Sequence, residues 1–225
     1  MLLAIDDSRS MAESRNIHLA YETLALVAGA LTRLEVGDIG ICRFGSDVEM
    51  LHDFGCATFT DHHGGQILSH LRFQQTSTNM HALLQRSIDV LRAAREARAS
   101  ASAAELWQLE IIISDGVCQD HERLRAMVRR AAEERIMLVF VVVDAGADDG
   151  VQAPASGSAP PPRSSILTMN QVHYHTDAAG KLQLDMSRYI DTFPFDYYVI
   201  VRDVQSLPGV LATTLRQWAE RIRDA

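Results

Sequence analysis

A doubly wound α/β architecture, with a mostly parallel sheet flanked by helices, is the fold this sequence predicts. Two runs carry the prediction. Residues 109–114 hold Ile111, Ile112 and Ile113 in a row, and residues 136–143 read Ile-Met-Leu-Val-Phe-Val-Val-Val. Such runs suit strands buried on both faces, which a parallel sheet provides. Strand-like and helix-like stretches also alternate along the chain, the pattern of doubly wound folds. With 225 residues, of which 47% are apolar and 22% charged, the chain has ordinary globular composition and length enough to bury a core without staples.

The elements follow in order. Residues 2–6 form a short apolar strand ending in a polar cluster. Over residues 16–34, Ile17, Ala20, Leu24, Val27 and Leu31 recur at helical spacing, and Gly37-Asp38 breaks that helix. Residues 39–44 and 47–53 read as strands joined by a tight turn at Gly45-Ser46. Residues 61–73 predict a short helix beginning near His62. Residues 79–98 predict a longer one, with Leu83, Leu84, Ile88 and Leu91 on one face. Asp115-Gly116 closes the 109–114 strand, and residues 121–134 are helical.

Residues 145–165 are rich in Gly, Ala, Pro, Ser and Asp and include Pro160, Pro161 and Pro162. They cannot build a core and read as a flexible loop. Residues 166–175 and 181–186 flank 177–180 and suggest a hairpin extension over 166–186. Residues 193–195 make a turn, 197–201 a final strand, and 207–223 a final helix with Pro208 in its first turn. The loop separates stretches of one sheet, so the expectation is a single domain, 1–225, with a loop and hairpin insertion.

Charge and cysteine usage narrow the function classes. There are 21 Lys plus Arg against 29 Asp plus Glu, a net charge of −8. This argues against direct nucleic-acid binding, which favours basic domains, and permits a cation site. Cys42, Cys56 and Cys118 are scattered, with no C-x-x-C, so neither a zinc knuckle nor a disulfide framework is supported and a reducing compartment is expected. No apolar run is long enough to span a membrane. Asp6 and Asp7 interrupt the first apolar residues, unlike a signal peptide. A strand beginning at the second residue is expected of a fragment excised from a longer protein.

The chemistry centres on Asp6-Asp7-Ser8-Arg9-Ser10, directly after the first strand. Open α/β sheets bind ligands at the carboxyl ends of their strands. Asp6, Ser8 and Ser10 alternate, so a loop leaving the strand can aim all three at one point. One carboxylate and two hydroxyls are hard oxygen donors, suited to Mg²⁺, Mn²⁺ or Ca²⁺ and poorly to Zn²⁺. Taken alone, the pattern fits a capping cluster better than a metal site. Two further clusters fall at the same sheet edge: Gln75-Thr76-Ser77-Thr78-Asn79, before a helix, and Ser114-Asp115-Gly116, after a buried strand.

This combination resembles the von Willebrand factor A domain with its metal-ion-dependent adhesion site, or MIDAS. The family pattern is D-x-S-x-S, then a Thr before a helix, then an Asp after a buried strand. The resemblance assigns the metal ligands to Asp6, Ser8, Ser10, Thr78 and Asp115. Thr76, from the same T-x-T pair, is the rival to Thr78; residues 78–84 space their apolar side chains like the family's Thr-to-helix segment. Within the family, the likeness narrows to the MIDAS domain of the dynein-related AAA ATPases of ribosome biogenesis. It rests on residues 4–11, with their second Asp and their Arg, on Phe73-Gln74-Gln75, and on residues 111–116. It rests above all on the tail, residues 189–198 with their Phe193-Pro194-Phe195, then Arg202-Asp203, Leu207-Pro208 and residues 215–218.

The resemblance implies a metal-dependent binding domain rather than an enzyme. Mg²⁺ is the implied cofactor, with Mn²⁺ or Ca²⁺ as substitutes, and one coordination position is open to a partner's Glu or Asp. The implied partners are ubiquitin-like domains of ribosome assembly factors on pre-60S particles, and the AAA ring of the parent protein. The implied location is the nucleus, in nucleolus and nucleoplasm. Arg9 and Thr76 are candidate partner contacts, although Arg9 fits a solvated side chain equally well. A nuclear-import role for the family's protruding loop lacks a basic run here, since Arg163 is its only base. No G-x-x-x-x-G-K-[ST] is present, so no ATP site is expected on this fragment.

Two alternatives stand beside this reading. One is another A-domain protein, of adhesion or chelatase type. The other is a Mg²⁺-dependent phosphohydrolase with Asp6 as nucleophile, which wants a carboxylate where Ser8 stands and a lysine near the phosphate, although Lys181 is the only lysine. The pairs His62-His63 and His173-x-His175 lack a third zinc ligand and read as surface or packing residues. Cys118 reads as packing at a helix start rather than as a nucleophile served by His121. Arg123, Arg125, Arg129 and Arg130 read as a solvated helix face.

Overall fold

The continuous apolar runs become the middle of a six-stranded sheet. A computed structural model describes residues 1–13, 16–33, 37–56, 59–98, 106–145, 165–176, 180 and 182–223. The strands are β1 (Leu2–Asp6), β2 (Gly40–Phe44), β3 (Val48–His52), β4 (Gln108–Ser114), β5 (Ile136–Val143) and β8 (Tyr198–Val201), in the order β3-β2-β1-β4-β5-β8. Every pairing is parallel except β2 with β3, which forms an antiparallel edge. All eight residues of β5 and six of the seven in β4 are buried, as strands covered on both faces require.

Alternation along the strands sorts the core into two layers. Leu3, Ile5, Ile111, Ile113, Val139 and Val141 face one side, against α2 (Ile17–Arg33), α3 (Asp61–His70) and α6 (Leu207–Arg223). Leu2, Ala4, Ile112, Leu138, Phe140 and Val142 face the other, against α4 (Met80–Glu96) and α5 (His121–Glu133). Burying each such side chain contributes about 1.5–3 kcal/mol. The chain leaves β1 towards β2 on one side, and β4 pairs on the other. The switch point, where such folds open a crevice, therefore lies beyond the ends of β1 and β4.

Several elements depart from the sequence reading. A five-residue helix, α1 (Arg9–Glu13), follows β1 directly. It carries no periodic pattern long enough to read. α3 ends at His70 rather than residue 73, because Leu71 is extended and residues 72 and 73 are drawn to Asp7. The hairpin is β6 (Asn170–Thr176) with β7 (Leu182–Arg188), shifted towards the C-terminus from the expected spans. Ile166 stands outside it and is buried. A 3₁₀ turn, Tyr189–Thr192, follows β7. The expected loop at 145–165 lies outside the described residues apart from its two ends, as does Leu34 at the expected end of α2.

The hairpin inverts the usual burial rule. Its register pairs Val172 with Met186, Tyr174 with Leu184 and Thr176 with Leu182, which places these side chains on one face. The five apolar ones are 41% to 70% exposed. Among the described residues, no helix is long and apolar enough to cross a membrane.

Candidate metal centre

Three loops meet at the switch point. The first begins at Asp6, the last residue of β1, whose side chain is fully buried. Asp6 Oδ1 accepts the Ser8 N–H at 2.9 Å, and Oδ2 accepts the Ser114 hydroxyl at 2.6 Å. This bond ties the end of β1 to the end of β4. The Ser8 and Ser10 hydroxyls lie 2.8 Å apart. The alternation read from the sequence thus brings both serines to one point, with α1 starting between them at Arg9.

The second loop, residues 71–79, is fastened to the first. Ser8 and Gln75 form an isolated parallel bridge, in which Arg9 N–H donates to the Gln75 carbonyl at 2.7 Å. Asn79 N–H donates to the Gly45 carbonyl at 2.7 Å, and the Asn79 side chain caps α4 by accepting the Ala82 N–H at 3.0 Å. Thr78 is half-buried just before that cap, and Thr76 is exposed. The third loop follows β4. Asp115 is buried, and its Oδ1 accepts the Val117 N–H at 3.1 Å. Gly116 then takes a φ of +82°.

A cleft of about 650 Å³ opens over these loops, lined by Ser8, Ser10, Thr76 and Thr78 together with Arg9 and Arg123. Asp6 and Asp115, buried at the strand ends that feed these loops, are close enough to interact. Burial, reinforced by the Asp115 carboxylate, pushes the Asp6 carboxyl up to about 7, although hydrogen bonds from Ser114 and Ser8 pull the other way. Two carboxylates in a buried place call for a positive counter-charge, and the neighbouring hydroxyl residues bring none. The donor set is therefore carboxylate plus hydroxyl oxygen, which fits a hard divalent cation. Among the described residues, no three of His, Cys, Asp and Glu gather as metal ligands.

The sequence reading missed the residue that holds the second loop. Asp7 is buried, and its Oδ1 accepts the backbone N–H groups of Arg72 at 2.7 Å and Phe73 at 2.5 Å. Its Oδ2 accepts from Arg43 at 3.0 Å. Phe73 is held at a φ of +51°, a conformation uncommon for a residue with a β-carbon. No sequence signal reveals this, because the contact spans 66 residues.

The arginines of α5 are not a simple solvated face. Arg125 donates to the Thr192 carbonyl at 2.7 Å, Arg130 donates to Gln85 at 2.8 Å, and Arg123 lines the cleft. The Cys118 thiol is pushed up to about 12 by burial and donates to the Gly116 carbonyl at 3.4 Å, while His121 Nδ1 faces the Thr192 hydroxyl. It is no poised nucleophile. His63 caps α3 through Thr60. The side chains of His173 and His175, and Lys181, lie outside the described residues.

Comparison with known proteins places this geometry. No protein-family model matches the chain. Among solved structures, a von Willebrand factor type A protein from Catenulispora acidiphila superposes with a TM-score of 0.51 at 13% identity, covering 95% of this chain and 41% of that one. Proximal thread matrix protein 1 from the mussel byssus, with a zinc-occupied MIDAS motif, gives 0.53 at 11% identity over 95% of this chain and 46% of that one. The fold and the three loops define a von Willebrand factor A-type domain.

Midasin from Dictyostelium discoideum is 35% identical over 219 residues, 97% of this chain, and midasin from Giardia intestinalis is 27% identical over 99% of it. The chain belongs to the midasin family, as its MIDAS domain. It spans 3% and 4% of the length of those two relatives.

Proposed function

We propose that this domain is a metal-dependent grip that holds an acidic residue of a partner protein. One observation carries the reading: Ser8, Ser10 and Thr78 line one cleft, at the sheet edge where β1 ends in the buried Asp6 and β4 is followed by the buried Asp115. These five residues would hold the ion, Mg²⁺ by the hardness of the donors. Bound there, a divalent ion offers an open coordination position to an external carboxylate. Asp6 would supply negative charge, held by Ser8 and Ser114. Arg9 and Arg123 are exposed on the cleft wall, with no side-chain ion pair among the described residues, and favour an acidic visitor.

Membership in the midasin family supports a finer reading. The partners are ubiquitin-like domains of ribosome assembly factors on pre-60S particles, engaged in the nucleus. The AAA ring of the parent protein supplies the pull that releases them. Direct nucleic-acid or membrane contact has no place in this reading.

The test is titration with a ubiquitin-like domain of an assembly factor, intact and with its acidic residue replaced by Ala, with Mg²⁺ or EDTA. Binding is expected only for the intact domain with Mg²⁺, and Asp6→Ala or Ser8→Ala abolishes it while the far-ultraviolet spectrum persists. Equal affinity in EDTA would overturn the proposal.

A further inference from the structure

The loop that carries Asp115 is held from outside the metal-site motif. Tyr189 is the first residue after β7, and it is buried. Its hydroxyl accepts the Cys118 N–H at 2.6 Å. The Gly116 and Cys118 carbonyl oxygens, at 3.0 and 3.1 Å, compete for its proton. Its ring meets that of His121 edge-on, with centroids 4.8 Å apart. One side chain therefore bonds the backbone on both sides of Val117 and packs on the residue that opens α5. Val117 itself donates to the Asp115 carboxylate.

The other root of the β6–β7 excursion touches the same loop. Ile166 lies so close to Gly116 that a β-carbon there would meet its Cδ1 at 2.5 Å. Thr192, just past Tyr189, bonds Gln171 of β6 at 2.9 Å and His121 at 3.2 Å. Both ends of the excursion are thus fastened to the segment that runs from Asp115 into α5.

We infer that Tyr189 is a positioning residue for the metal centre: with Ile166 it fixes the 115–118 loop, and it couples the β6–β7 excursion to metal affinity. The inference rests on the reading of the site as a metal centre. Without the hydroxyl, the Cys118 N–H loses its partner and the loop samples other arrangements. Only the fraction with Asp115 in place binds, and apparent affinity falls by that fraction.

A purely structural role would be to fill the aromatic cluster, in which the Tyr189 ring lies 6.3 Å from that of Phe193. Tyr189→Phe keeps the ring and removes only the hydroxyl. Phe193→Leu disturbs the cluster and leaves the loop bonds intact. Each variant of the 225-residue chain is titrated with Mn²⁺ alone, followed by electron paramagnetic resonance. Amide exchange and thermal melting are recorded in EDTA.

Tyr189→Phe is expected to lose about tenfold in Mn²⁺ affinity and to speed exchange at Val117 and Cys118. Phe193→Leu is expected to lower the melting temperature with Mn²⁺ affinity kept. Wild-type affinity in Tyr189→Phe, or equal losses in both variants, overturns the inference. If the wild type binds no Mn²⁺, or Ser8→Ala binds as well as wild type, the metal reading falls and this inference falls with it. If the wild type binds, Ser8→Ala does not, and Tyr189→Phe matches wild type, this inference alone falls.

Discussion

Asp6 and Asp7 are neighbours with opposite work. Asp6 is buried near Asp115 and accepts from Ser8 and Ser114, whereas Asp7 spends its charge on Arg43 and two backbone N–H groups. Asp7→Ala strands those donors and is expected to cost about 2–4 kcal/mol in urea unfolding. Because residues 72–75 lead to the threonines, it also weakens Mn²⁺ binding. A loss below about 1 kcal/mol would show that the loop holds itself. Glu110 is another fully buried carboxyl. Its Oε1 accepts the Ser87 hydroxyl at 2.6 Å, its Oε2 has no partner, and burial pushes it up to about 8. The folded pKa lies above the unfolded value of 4.5. Its contribution is therefore full below about pH 4.5 and is lost as pH rises through about 8. Glu110→Gln is expected to flatten that fall, measured in EDTA as the difference from wild type across pH 4.5 to 8. Parallel pH profiles would contradict the assignment.

At the scale of elements, the legible parts were those whose burial follows a pattern. β4 and β5 read as strands because both faces are covered, and α2 and α4 because one face is apolar at helical spacing. The loops at the strand ends are legible as candidate donors, since D-x-S-x-S and the later Thr and Asp are short-range patterns. What holds those donors was not legible. Asp7 and Tyr189 act through contacts with residues far away in sequence. Ile166 was read into the hairpin, because apolar residues at a strand end carry no mark of a tertiary role. The Asp115 loop turns on Gly116, whose positive φ and crowding by Ile166 and Val142 leave no room for a β-carbon. Gly116→Ala is expected to destabilise by about 1–3 kcal/mol in urea and to lower metal affinity. A variant with wild-type stability would mean the turn relaxes freely.

For the whole molecule, the site is expected to link metal to stability. A ligand that binds only the folded state at a hundred times its Kd adds about 2.7 kcal/mol. In a domain of this size each kcal/mol moves the melting temperature by about 2–4 °C. Saturating Mg²⁺ is expected to raise the melt by about 5–10 °C, reversed by EDTA and absent in Ser8→Ala. The net charge of −8 hides the local arrangement, in which Arg9 and Arg123 line the cleft while Asp6 and Asp115 are buried at the same sheet edge.

The sheet order bears on how the domain would carry a load. Asp6 ends β1, and Asp115 follows the last residue of β4. These strands are adjacent and parallel, and each has a further partner on its outer side. On the proposed function, tension entering at an ion held between them would divide between two central strands and run along their axes. The ladder bonds would then be strained together in shear rather than peeled open one after another.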